Sequence, residues 1–238
     1  MTRGILIAGN ESALITALEL ETVKRVDQFA RALIPNRVSE AGANPGFQSR
    51  RGQPSSESGG QVPVEQARHS LQWNPSSPIS ARTLVLGAEN RLEHIDEAIL
   101  VCDPPSIRRA VADLPLADIE VLINDQIKGW FFLVKELAAV FRVRKSGTLA
   151  LVYNDIASGG GKDEAANLIG PSALASFSSL LRGLLASASS EPYFTVGFSN
   201  SGAGDEAGFA AFVLKALDEG SKRNNGKLHK YGKFNFFR

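Results

Sequence analysis

The chain has 238 residues, 26 Lys and Arg against 25 Asp and Glu, and 43% hydrophobic residues. That length suffices for one domain, taken as 1–238, that buries a core without staples, and a net charge of +1 argues against a surface built for nucleic acid. The single cysteine, Cys102, excludes an internal disulfide framework and fits a reducing, cytoplasmic setting. Met1–Ala8 lacks a charged-then-apolar leader and no apolar run of about eighteen residues stands out, so no membrane partner is expected.

Five short apolar runs read as strands in chain order: GILIA (4–8), TLVLG (83–87), AILVC (98–102), TLALVY (148–153) and YFTVGF (193–198). They are apolar throughout instead of alternating, which predicts a mainly parallel sheet covered on both faces. Helical periodicity falls on Ser12–Val23, Asp118–Arg142, Glu164–Ala186 and Asp205–Leu217. In the second of these, Ile119, Leu122, Ile123, Ile127, Trp130, Leu133, Val134, Leu137 and Phe141 form one broad apolar stripe. Residues 37–81 break the pattern. They are rich in Ser, Gly, Pro, Gln and Arg, and read as a solvated excursion or as a lid, with a short helix at 64–73. No internal repeat is visible.

In order and spacing these elements resemble a short-chain dehydrogenase/reductase from end to end, with 37–81 the poorly matching part. LIAGNESALITALELE (6–21) stands in the place of the family's Thr-Gly-x-x-x-Gly-x-Gly turn, and IDEAILVCDPP (95–105) in the place of a strand ending in Asn-Asn-Ala-Gly. DQIKGWFFLVKELAAVF (125–141) is similar to the long helix of the dimer interface, and NGKLHKYGKFNFF (225–237) to the last strand. The resemblance implies a Rossmann-type, doubly wound α/β fold with strand order 3-2-1-4-5-6-7. It also implies a homodimer or homotetramer formed through 118–142 and 164–186.

The motif residues depart from the family. Of the three glycines only Gly9 is present; the others fall on Ala13 and Ile15, where a branched side chain should push the helix away or fill the space of a diphosphate. Glu11 inside the turn would repel phosphate. Gly9, Asn10 and Ser12 are the remaining cofactor-binding candidates, and NAD or NADP is only a weak expectation. Cys102-Asp103-Pro104-Pro105 replaces the Asn-Asn-Ala-Gly turn, and the helix Asn falls on Gln126. The catalytic Ser, Tyr and Lys fall on Ile156, Ile169 and Ala173, none of which can move a proton or polarise a carbonyl. The expectation is therefore a binding or scaffold subunit that has lost ordinary redox catalysis, with an active relative as a candidate partner. The alternative is an enzyme using relocated groups: Gln126, Tyr153, Asp155 or Lys162.

Other constellations carry less. SGGGKD (158–163) lacks the leading Gly and the hydroxyl of a phosphate loop, and GFSNS (197–201) lacks the last Gly of a nucleophile elbow. His69, His94 and His229 are scattered, with no metal-ligand spacing; the first two read as surface or loop residues. The basic tail 222–238 reads as sheet-edge or subunit-interface packing in preference to a nucleic-acid surface. At least one of Trp130, Phe131 and Phe132 is expected in a subunit interface.

Overall fold

The computed structural model describes residues 3–25, 28–34, 68–104, 110–155, 168–202 and 204–232. Seven parallel strands, β1 (Gly4–Asn10), β2 (Gln28–Ile34), β3 (Arg68–Gln72), β4 (Glu97–Cys102), β5 (Thr148–Asn154), β6 (Phe194–Asn200) and β7 (Lys227–Tyr231), form one sheet in the order β3-β2-β1-β4-β5-β6-β7. This is the doubly wound Rossmann arrangement the sequence implies. Every residue of β1, β4 and β5 is buried, the reason those runs are apolar instead of alternating.

Helices cover both faces. On one, α2 (Pro78–Leu92), α4 (Gly129–Arg144) and α5 (Ile169–Ser187) close over Leu6, Ala8, Leu100, Leu149 and Leu151. On the other, α1 (Ala13–Lys24) and α6 (Glu206–Asp218) cover Ile5, Ile7, Ile99, Val152 and Phe198. Two short helices, α3 (Leu116–Val121) and α7 (Ser221–Asn224), complete the set among the described residues.

The structure corrects three readings. TLVLG (83–87) is not a strand but the middle of α2: Ala81, Leu84, Val85, Ala88 and Leu92 are its buried positions, a helical spacing. Ser77 caps the helix, accepting a bond from the Ser80 amide, and Pro78 begins it. Three consecutive apolar residues suit either element, and the flanking cap signals decide. The second correction lies within 37–81, whose described end holds β3, including His69, and the start of α2, in place of a short helix at 64–73; residues 37–67 lie outside the described part. β2 is not marked by an apolar run because Arg31 interrupts it. The Arg31 guanidinium meets Glu19 of α1 at 3.1 Å.

The third correction concerns the stripe on 118–142. Leu122–Lys128 is a π-helical stretch between α3 and α4. Its wider i→i+5 turn shifts the phase of the side chains, so Asp118, Asp125 and Gln126 face inward while Ile119 and Ile123 are exposed. From Trp130 onward the stripe is buried as expected, at Trp130, Leu133, Val134, Leu137 and Phe141.

By length and composition Ile169–Ser190 could cross a membrane, although its residues Ile169, Ala173, Phe177 and Leu181 are buried in the fold.

Candidate functional site

A parallel sheet offers its ligands the carboxyl ends of its strands, where the chain leaves each strand and the first free amides of the next helix point outward. Four strand ends here carry short polar side chains in place of apolar ones. Asn200, fully buried at the end of β6, donates from Nδ2 to Asn154 Oδ1 at 3.2 Å across to β5. The Asn154 amide and the Ser12 hydroxyl in turn bond the carboxylate of Asp103, which follows β4. Ser12 also caps α1, its Oγ accepting from the Ile15 amide at 3.4 Å. Asn200 Oδ1 accepts from the Gly202 amide at 2.8 Å, and the Asp155 amide donates to the Asn200 carbonyl at 2.7 Å. The result is a polar cluster that reaches from β6 to the β1–α1 turn.

Burial and the nearby Glu206 carboxylate push Asp103 above its ordinary pKa, against the pull of Ser12 and Asn154. The centre of the strand-end crevice is thus a carboxylate with a second carboxylate close by. Chemically this arrangement accepts hydrogen bonds and disfavours added negative charge.

The turn after β1 is the place to test a dinucleotide. A Cβ on Gly9 would stand 2.9 Å from Ile15 Cδ1 and would collide with the Val101 carbonyl, so Gly9 is required by packing on β4. Ile15 is fully buried between α1 and the sheet with Leu14 and Leu18. Its Cδ1 reaches toward Gly9 beneath the turn. Asn10 is buried as well, with no hydrogen-bond partner for its Oδ1. Glu11 is exposed and lies 3.5 Å from Arg31. Of the cofactor-binding candidates, Gly9 is spent on packing and Ser12 on capping α1 and bonding Asp103. These residues do not form an ordinary diphosphate cradle.

The catalytic candidates divide. Ile169 and Ala173 are buried in the first turns of α5. Tyr153 is buried on the α4–α5 face, its ring 6.4 Å from that of Phe177. Gln126 is buried in the π-helical stretch with its Oε1 unbonded, while Asp155 is exposed. Tyr153 and Asp155 therefore leave β5 with different surroundings. Ile156 and Lys162 lie outside the described residues. Cys102 is fully buried, and desolvation pushes its thiol far above the ordinary range, so it is no nucleophile.

The cluster of Ser12, Asp103, Asn154 and Asn200 is the part of the site not singled out as such from the sequence. The signal was a polar Asn or Asp directly after each apolar run. Trp130, one of the three interface aromatics, is core: it packs against Trp73 and Phe177 with ring centroids 5.5 and 5.1 Å apart. Phe131 is exposed beside Leu180 and Gly183 of α5. His94 pairs with Asp96 at 3.2 Å when protonated, and His229 stacks on Phe198 at 5.4 Å with its pKa lowered by burial. Among the described residues no group of three or more His, Cys, Asp and Glu comes together as a metal site.

By sequence, neither a protein-family model nor a curated protein matches this chain. By structure, it is similar to an NADH-dependent reductase A1-R′ complexed with NAD, at 13% identity over 97% of this chain and 95% of that one, with a TM-score of 0.69. It is similar to levodione reductase at 11% identity over 96% and 95%, TM-score 0.70. A short-chain dehydrogenase from Mycobacterium smegmatis matches at 10% identity over 98% and 93%, TM-score 0.70. With the strand order, these likenesses establish that the chain has the fold of the short-chain dehydrogenases/reductases along nearly its whole described length.

Proposed function

We propose that this protein binds a small molecule at the strand ends of a short-chain dehydrogenase/reductase fold without performing that family's Ser-Tyr-Lys redox chemistry. The observation that carries the reading is the burial of Ile169 and Ala173 in α5, at the positions the resemblance gives to the proton donor and its ammonium partner. Losing general acid catalysis alone forfeits about 10²–10⁴-fold in rate. The acceptors around Asp103 suit a hydroxyl- or amine-bearing ligand better than a diphosphate, and NAD or NADP is the weaker choice. Calorimetric titration with NADH and NADPH, run beside a hydride-transfer assay on a panel of ketones and aldehydes, tests this. The expected result is no turnover and millimolar binding at best. Micromolar binding with turnover would overturn it.

A second reading, an oxidoreductase with relocated groups, is favoured by the fold shared with an NADH-dependent reductase and by Gln126 and Tyr153. It requires turnover that Gln126→Ala and Tyr153→Phe each reduce at least tenfold.

The protein acts as a homodimer or homotetramer through the α4–α5 face, where Phe131 is 52% exposed beside a groove lined by Ser176, Ser179 and Leu180. A family relative with intact catalytic residues is the other partner of that face. Phe131→Asp should lower the mass measured by light scattering; an unchanged mass rejects this contact.

A further inference from the structure

We propose that the face formed by α2 and α4 is a second two-fold interface, whose occupant is another copy of this chain. The face combines exposed apolar side chains with four charged ones. Leu86 is 49% exposed and Val143 85%, in a groove of about 320 Å³ that Val85 and Val140 also line. Exposed apolar groups gathered at a groove mark an interaction site more often than isolated ones do.

The charges on the groove identify the partner. On α2, Arg82 and Glu89 lie on either side of Val85 and Leu86; on α4, Glu136 and Arg144 lie on either side of Val140. Both helices follow one parallel strand and lead into the next, so they run in the same direction. The face therefore reads positive to negative along α2 and negative to positive along α4. A two-fold axis in the plane of the face has two natural orientations. Along the helices, it lays α2 over the α4 of the copy, bringing Arg82 to Glu136 and Glu89 to Arg144. Across the helices, it lays each helix antiparallel on itself, bringing Arg82 to Glu89 and Glu136 to Arg144. Opposite charges meet in both cases, as an isologous contact requires. A partner of a single sign would meet repulsion from two of the four. Arg144 is already bonded to the Ile95 carbonyl at 2.6 Å and paired with Asp96 at 3.2 Å, so the contact of Arg82 with Glu136 or Glu89 carries most of the complementarity.

Sedimentation equilibrium on the full chain tests the proposal. A Phe131→Asp background removes the α4–α5 contact, so association that persists there reports on the α2–α4 face, and its failure leaves the reading of the strand-end site untouched. Arg82→Glu should weaken that association at least tenfold. Adding Glu89→Arg should restore it if the axis runs across the helices, and adding Glu136→Arg if it runs along them. All four positions lie at the groove rim, and circular dichroism checks that each variant is folded. A monomer in the Phe131→Asp background, no effect of Arg82→Glu, or rescue by neither second reversal would overturn the proposal.

Discussion

The two ends of the sheet are built on opposite electrostatic plans. At the amino ends of the strands, carboxylates are matched by guanidinium groups. Arg3 joins Glu97 of β4 at 3.2 Å and Asp218 at 2.9 Å, and Arg25 joins Asp218 at 3.0 Å and Glu21 at 2.9 Å. Asp96 accepts from the Gly4 amide at 2.9 Å and from Arg144. At the carboxyl ends, Asp103 is held by a hydroxyl and an amide, with Glu206 adding repulsion. The first end binds β1, β4, α1, α4 and α6 together. The second holds Asp103 with neutral groups and a like charge nearby, at some cost to stability.

The largest expected effect breaks the matched end. Glu97 is buried, and Arg3→Ala removes the guanidinium that pairs with it; about 3–5 kcal/mol should be lost in urea unfolding. A loss under about 1 kcal/mol would mean that this end is no better compensated than an exposed surface pair. Next come the two glycines of β1. A Cβ at Gly4 would strike the His94 carbonyl and one at Gly9 the Val101 carbonyl, so each alanine variant should cost roughly 1–3 kcal/mol. The comparison sharpens if Gly9→Ala also leaves dinucleotide affinity unchanged, since Gly9 serves packing here.

Ser12→Ala should cost about 1 kcal/mol through loss of the α1 cap, and it should raise Asp103 further by removing a donor. The smallest effect is one of pH. Asp103 titrates above its ordinary 3.8 in the folded chain, so the native state holds this proton more tightly than the unfolded one. Its contribution to stability is complete below about pH 3.8 and is lost as the pH rises through the folded value. In Asp103→Asn that segment of the unfolding midpoint against pH should flatten. A segment of unchanged slope would show that Asp103 is not the carboxylate under strain.

The strands of the sheet centre were readable because a strand buried on both faces must be apolar, and β1, β4, β5 and β6 meet that condition. Strand β2 was not, since Arg31 is tolerated there only through Glu19 on another element. The α2 run looked like a strand because three adjacent apolar residues carry no period of their own. The same limit applied to the site. Gly9, Ile15, Ile169 and Ala173 could be placed by spacing along the chain, while the bonds from Ser12 through Asp103 and Asn154 to Asn200 join four segments far apart in sequence.

The sequence by itself determined the α/β architecture, since it follows from residue type at local spacing, and the resemblance supplied the strand order. Tertiary structure alone decided which face of the 118–142 helix is buried, because a π turn rotates Asp125 and Gln126 inward. It also decided that Trp130 is core and that Asp103 sits beside Glu206. Those outcomes depend on what the fold brings close in space, and no periodicity along the chain encodes that.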